Sequence, residues 1–392
     1  MSFFKNTCEI TLIIGVHSGA VEVAEVMFAE GRIPEVLSCA RETIKNYSPA
    51  TRESEASEIG RAVRSALAVL QRQISDSRHS SKRVRVKKAF VCFSSPWVLG
   101  STRVVRLAKD KSFTTTKKMV EELIAAERMA IMKVPELANY RIIEEKIMRF
   151  KLNGYEASDG VGKHVSEFGI EVYFGAVAEI ALDAIEKEVH SAFNHRILEF
   201  STLPFVAFTI FRDLPNGDNH FLSIVVGERA TDISIVKRGC LLEAISMPFG
   251  TGHCFDAIQD KLNTTASVAR SFFKLFVEGR AEEGITEKIK LALEKPHLQF
   301  KALLGESLNG VSEEFFIPKS VYISVEDGLF PWFAAALADL GSSRVVALPG
   351  QNLSAVAVDK SVLAKFIHSV SSECDIRTLL YSLYIHKLYI RR

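Results

Sequence analysis

Residues 222–253 read LSIVVGERATDISIVKRGCLLEAISMPFGTGH, and the reading of this stretch decides the fold. Ile224-Val225-Val226 and Ile233-Ser234-Ile235-Val236 are β-branched runs of the kind that strands favour, and Gly227 to Asp232 between them is turn chemistry. Lys237-Arg238-Gly239 turns the chain again, and Pro248-Phe249-Gly250-Thr251-Gly252 precedes an apolar-periodic helix. A hairpin whose first turn is rich in glycine and hydroxyls can wrap phosphate oxygens with backbone N–H groups. An ordinary core hairpin is the alternative that these residues leave open.

Gly227, Thr231, Asp232, Ile233, Gly239, Pro248 and Gly250 stand at spacings that resemble a known motif. It is the second phosphate loop of the actin-like ATPase superfamily, D-I-G-G-x-T-T-D-I-x-I-x-x-x-G followed by a P-x-G turn. More narrowly, the chain resembles the branch that holds bacterial FtsA and PilM. The resemblance implies an α/β, two-lobed actin-like ATPase fold with a strand–helix–strand–strand insertion in the first lobe. It also implies ATP and magnesium as cofactors. One departure matters: Val225 stands where the family has its first Asp, a carboxylate that helps organise metal and water near the phosphates.

A similar hairpin opens the chain at Thr11 to Phe28, around Gly-Val-His-Ser-Gly-Ala. Ile13, Ile14, Gly15, Val21 and Val23 fall beside Val225, Val226, Gly227, Ile233 and Ile235, so the same unit occurs twice. In an actin-like fold each lobe contributes one such hairpin to the nucleotide. The family's first loop reads D-I-G-S/T-S/G-x-V, and here its Asp falls on Gly15 when Val21 is matched, or on Ile13 when Gly15 is matched. Of the glycine pair that usually packs on adenosine, only Gly328 in Val325-Glu326-Asp327-Gly328 remains. The nucleotide-binding positions implied are Gly15, Ser18, Gly227, Thr231, Asp232, Gly250 and Gly328. His17 reads as an exposed turn residue. No catalytic residue and no metal ligand is assigned, and the expectation is not an efficient ATPase.

The bulk composition is compatible with this. A chain of 392 residues, 47% apolar, has material for more than one sizeable core. A net charge of +2 gives no polyanion-binding surface, so nucleic acid is not expected as a partner. The basic segment Ser75 to Lys88 lacks interleaved aromatics and reads as a solvated loop. Six scattered cysteines show no C-x-x-C pairing, so neither a zinc site nor a disulfide framework is expected, and a reducing cytoplasm is the default. No apolar run is long enough for a membrane span.

Along the chain, residues 1–100 and 178–214 read as the first lobe, and residues 101–177 as the insertion. Residues 215–253 and 318–360 read as the second lobe, 254–317 as its helical subdomain, and 361–392 as a helical tail. Within the helical block, helices are expected at Phe255–Leu262, Ser267–Val277, Ile285–Leu293 and Leu298–Leu308. Strands are expected at Arg344–Leu348 and Ala355–Ala357. Thr202 to Phe211 resembles the hinge helix leading out of the first lobe. The insertion's role in the family is protein–protein contact.

In the tail, Ile376, Leu379, Leu380, Leu383, Lys387 and Ile390 share one helical stripe, flanked by tyrosines and basic side chains. Such a face suits an anionic membrane surface; a terminal helix packed on the second lobe is the alternative. FtsA relatives end in a membrane-targeting helix. The resemblance therefore implies an FtsA-like division protein, a self-associating cytoplasmic adaptor at the inner face of the cell membrane that recruits a tubulin-like partner. A PilM-like pilus platform, docked on a pilus inner-membrane protein, is the second reading. An actin-fold scaffold without nucleotide is the third.

Overall fold

The computed structural model describes residues 8–44, 52–76, 88–193, 197–214, 218–309, 318–338, 353–370 and 374–390. Three strands open the chain: β1 (Cys8–Val16), β2 (Ala20–Ala29) and β3 (Glu35–Thr43). Helix α1 (Arg52–Asp76) and strand β4 (Lys88–Phe93) follow. Ile59, Ala62, Val63, Ala66, Leu67 and Leu70 form the buried stripe of α1, at the three- and four-residue steps of an amphipathic helix. The insertion comprises β5 (Val98–Thr114), α2 (Lys117–Ile131), β6 (Tyr140–Leu152), the short β7 (Tyr155–Ala157) and β8 (His164–Ala178). Thr116 caps α2, its hydroxyl accepting the Met119 N–H at 3.2 Å. The chain returns through α3 (Glu179–Phe193) and β9 (Ile197–Thr202) to α4 (Leu203–Arg212).

The second half repeats the plan with β10 (Phe221–Val226), β11 (Thr231–Lys237), β12 (Cys240–Met247), α5 (Thr251–Leu262), α6 (Ala266–Val277), α7 (Glu283–Asn309), β13 (Ser320–Ser324), α8 (Phe330–Ala338) and β14 (Ser354–Ala357). Helix α9 (Lys360–Leu363), strand β15 (His368–Ser369) and helix α10 (Ile376–Ile390) close it. The first sheet runs β15-β3-β2-β1-β4-β9, and the second begins β14-β13-β10-β11-β12. In each, three antiparallel strands are joined on one side by two strands parallel to the first. The duplication expected from the two hairpins therefore extends to both sheets.

Three features differ from expectation. Two helices expected on either side of Pro296 form the single helix α7. Ile289, Leu293, Pro296, Phe300, Leu304 and Leu308 lie on one buried stripe that keeps helical phase through the proline, so packing outweighs the lost backbone bond. The insertion's sheet also continues that of the second lobe, because β5 pairs with β12 through Ser101↔Glu243 and Gly100↔Ala244. Finally, Cys39 and Cys374, 335 residues apart, form a disulfide with Cα atoms at 5.8 Å. Tertiary folding brings the two together, and local cysteine spacing carries no trace of it. The expected strand at Arg344–Leu348 lies outside the described residues.

Two helices fill the space between the lobes. Leu203 to Phe211 of α4 are all buried, and α10 is buried all round from Ile376 to Ile385. Phe205 meets Tyr384 edge-on at 6.0 Å. Lys387 binds Thr209 O at 3.1 Å and Asp213 at 2.8 Å, placing its charge at the C-terminal end of α4 where carbonyls face it.

Candidate functional site between the lobes

The β1–β2 ladder ends at Val16↔Val21 and the β10–β11 ladder at Val226↔Thr231. One backbone bond closes each four-residue turn, His17 N to Ala20 O and Gly227 N to Ala230 O, both at 3.0 Å. Gly15 is thus the counterpart of Val225, and Glu22 that of Asp232. The sequence pairing of Gly15 with Gly227 is displaced from this by two residues. Strand side chains alternate with period two, so a two-residue slip keeps the same apolar face inward and escapes pattern reading.

The two turns hold each other. The Ser18 hydroxyl accepts from the backbone N–H groups of Arg229 at 3.0 Å and Ala230 at 3.1 Å. The start of α5 is stitched to the same turn: Thr251 N donates to Gly227 O at 2.9 Å and Gly252 N to Glu228 O at 2.8 Å. Gly250 N donates to His253 Nδ1 at 3.2 Å. A Cβ at Gly250 would lie 2.5 Å from Gly227 O, so only glycine allows this approach. Thr231 Oγ1 donates to Phe249 O at 2.6 Å, and Arg41 pairs with Glu228 at 2.7 Å.

Helix α10 closes the space behind the turns. His17 is buried, not exposed as a turn residue would be; its Nδ1 lies 3.1 Å from Ser94 Oγ and its ring stacks on Tyr381 at 5.9 Å. A Cβ at Gly15 would meet His17 Nε2 at 2.6 Å and Tyr381 at 3.0 Å, so no carboxylate fits there. Val225 belongs to the same apolar cluster as Leu380 and Tyr381. Arg377 lies against the second turn, 3.2 Å from where a Gly227 Cβ would stand, and pairs with Asp375 at 2.5 and 2.8 Å. Burial alone would push the Asp375 carboxyl up, but Arg377 overrides it and holds it well below the usual carboxylate range. Burial, then Arg377, keeps the His17 imidazole neutral.

The equivalent carboxylates behave alike. Asp232 accepts from Ser95 N at 3.0 Å and Ser95 Oγ at 2.7 Å, linking second lobe to first. Burial pushes its carboxyl up to about 6, against the pull of the Ser95 hydrogen bonds. Glu22 accepts from Asp375 N at 2.8 Å, and burial together with Asp375 raises it to about 7.

This arrangement does not fit an ATP–magnesium group. Two N–H groups of the second turn are bound by Ser18, both carboxylate positions are filled by apolar or aromatic packing, and Asp232 faces Ser95. Of the positions assigned to nucleotide, Gly15, Ser18, Gly227, Thr231, Asp232 and Gly250 converge here; Ser18 and Asp232 bond between the lobes, while Thr231 and Gly250 are held within the second. Gly328 stands apart beyond β13, at φ +87°, with Glu278 nearby, while Glu326 pairs with Lys274 at 3.0 Å. A cleft of about 800 Å³ remains in front of the turns, between Gly19, Ile44, Pro96, Arg229 and His253.

The membrane face expected of the tail is corrected in the same way. Ile376, Leu379, Leu380 and Leu383 are core residues, and Lys387 is bound to α4. A helix apolar enough to bury on every side has no free face for lipid. The side chain of Ile390 lies outside the described residues. Among the described residues no helix is long and apolar enough to cross a membrane. The tail's tyrosines and Arg377, expected at a lipid surface, instead line this site, and Asp375 and Glu22 join them unannounced by any motif; the bare Gly15 beside a missing Asp is the signal that some other side chain fills that space.

No protein-family model and no curated protein sequence matches this chain. Among solved structures, PilM in the PilM–PilN type IV pilus biogenesis complex superposes with a TM-score of 0.56 at 14% identity, over 97% of this chain and 98% of that one. The fold is actin-like. The ethanolamine utilization protein EutJ from Carboxydothermus hydrogenoformans matches at TM-score 0.46 and 12% identity, over 98% and 92% of the two chains. A Bacteroides thetaiotaomicron protein with an actin-like ATPase fold matches at TM-score 0.35 and 11% identity, over 97% and 98%. The two turns that the sequence resemblance assigns to phosphate are here bonded to each other.

Proposed function

We propose that this protein is a PilM-like assembly platform that works by docking a partner and does not turn over ATP. The observation that carries this reading is the Ser18 hydroxyl seated on the Arg229 and Ala230 N–H groups, where a nucleotide phosphate would have to sit. Three further features support it. The superposition on PilM runs the length of both chains. The buried α10 removes the feature that favoured a membrane-bound division adaptor. A groove of about 190 Å³ opens beside the insertion, between Leu99, Arg103, Ile131, Phe174 and Glu243. Such a cavity suits one anchoring side chain of a pilus inner-membrane protein as the partner.

Calorimetric titration of the full chain with ATP and magnesium tests the first half of the proposal. No saturable binding and no phosphate release are expected; micromolar binding would overturn it. Deleting the gene in its host tests the second half, with loss of pilus assembly and normal septation expected. A septation block would return the division reading.

A further inference from the structure

Beneath the N-terminal end of α10, three chain segments bring together two sulfurs and a carboxylate that the docking function does not use. The sulfurs of Cys39 on β3 and Cys374 before α10, and a carboxylate oxygen of Glu22 on β2, lie within 4.8 Å of one another, and all three residues are buried. Glu22 Oε1 accepts the Asp375 N–H, but Glu22 Oε2, equally enclosed, has no hydrogen-bond partner. A buried oxygen left without a donor is costly, whether the carboxyl is charged or neutral. The cysteines are joined as a disulfide, and disulfides are uncommon where thiols are kept reduced.

We propose that Glu22, Cys39 and Cys374, once the cysteines are reduced, hold one thiophilic divalent cation of the zinc class, and that the disulfide is the oxidised, metal-free form of the same site. Two thiolates and one carboxylate, with a water completing four ligands, are a donor set that zinc accepts. The Cα separation of 5.8 Å suits a disulfide. Zinc–sulfur bonds of about 2.3 Å at tetrahedral angles set the sulfurs roughly 3.8 Å apart, which modest side-chain rotation supplies from the same backbone.

Conversion also leaves the net charge unchanged. Asp375 is flanked by Arg377 at 2.5 Å and Arg41 at 3.9 Å, and Arg41 pairs in turn with Glu228 at 2.7 Å. The metal form adds two thiolate charges together with two positive charges, so neither form carries a net charge that the other lacks. The two forms interconvert with a disulfide oxidant such as oxidised glutathione. The thiolates give up two electrons, the Cys39–Cys374 bond forms, two glutathione thiolates depart and the cation is released. A dithiol reductant with the free cation reverses the step.

Cobalt(II) titration of the anaerobically reduced full chain is the test. One equivalent should bind, with thiolate-to-cobalt charge-transfer absorption that zinc displaces and oxidised glutathione abolishes. Cys374→Ser should remove that absorption, and Glu22→Gln should keep it while weakening binding ~10-fold or more. X-ray absorption of the zinc-loaded wild type provides a readout independent of any variant's folding, and should give two sulfur neighbours. Reduced wild type without the charge-transfer band, a Glu22→Gln titration that matches wild type, or a zinc shell without sulfur would each overturn the proposal.

Discussion

The two hairpin turns at the centre of the molecule share one backbone and have opposite chemistry. The first, Val16 to Val21, projects side chains: His17 inward onto Tyr381 and Ser18 across the gap. The second, Val226 to Thr231, projects backbone, and its N–H groups receive Ser18 while its carbonyls receive the start of α5. One repeat has become the occupant of the other. The difference shows how two copies of one hairpin can bind each other, through a serine on one turn and a helix behind both.

Breaking that closure at its buried guanidinium should have the largest effect. Arg377→Met leaves Asp375, largely enclosed, without its main partner and should destabilise the fold by about 3 kcal/mol, read by chemical denaturation near neutral pH. A loss under ~1 kcal/mol would mean that Asp375 is screened by water or satisfied by Arg41.

Asp232 gives the next effect, and its sign is fixed. Its carboxyl is raised in the folded protein from 3.8 to about 6, so the folded state favours the protonated form. The stability it contributes is complete below pH ~4 and is lost as pH rises through about 6. Asp232→Asn keeps an acceptor for Ser95 without the charge. Wild type should therefore lose roughly 3 kcal/mol relative to this variant between pH 4 and 7. Parallel stability–pH curves would refute the buried-carboxylate account.

Ser18→Ala tests the contact between the turns directly. Two enclosed N–H groups lose their acceptor, at about 1–3 kcal/mol, and amide exchange at Arg229 and Ala230 should accelerate selectively. Uniform acceleration across β10 and β11 would instead indicate general loosening.

Tyr381→Phe should do least. The hydroxyl is buried and has no hydrogen-bond partner, so its removal should raise stability by about 1 kcal/mol, while the ring keeps its stacking on His17. A large loss would reveal a partner for that hydroxyl.

The sequence made the duplicated plan readable because alternation and turn chemistry are local. Gly227, Gly239 and the apolar runs beside them mark strands wherever they fall, and the stripe of α1 marks a helix. The site was less readable for three physical reasons. Period-two alternation is blind to a slip of two, which hid the pairing of Glu22 with Asp232. An amphipathic count scores Thr378, Tyr381 and Ser382 as a polar face, yet all three are buried, with Ser382 donating to Thr378 O within the helix at 2.7 Å. Contacts such as Cys39 with Cys374 depend on where the chain's two ends meet, and no local window contains both.

The insertion is also a strap. Glu144 of β6 takes hydrogen bonds from Ser201 and Thr202 at the end of β9, so one end of the strap is fastened in the first lobe. The other end reaches the second lobe through two residue pairs between β5 and β12, and through Arg149 on Arg238 O at 2.7 Å. The insertion is thereby tied to both lobes by different chemistry: a buried carboxylate on the first, and on the second a short ladder reinforced by Thr102 on Leu241 O and Arg238 on Glu156. Its sheet is a brace that joins the two halves of the molecule away from the turns.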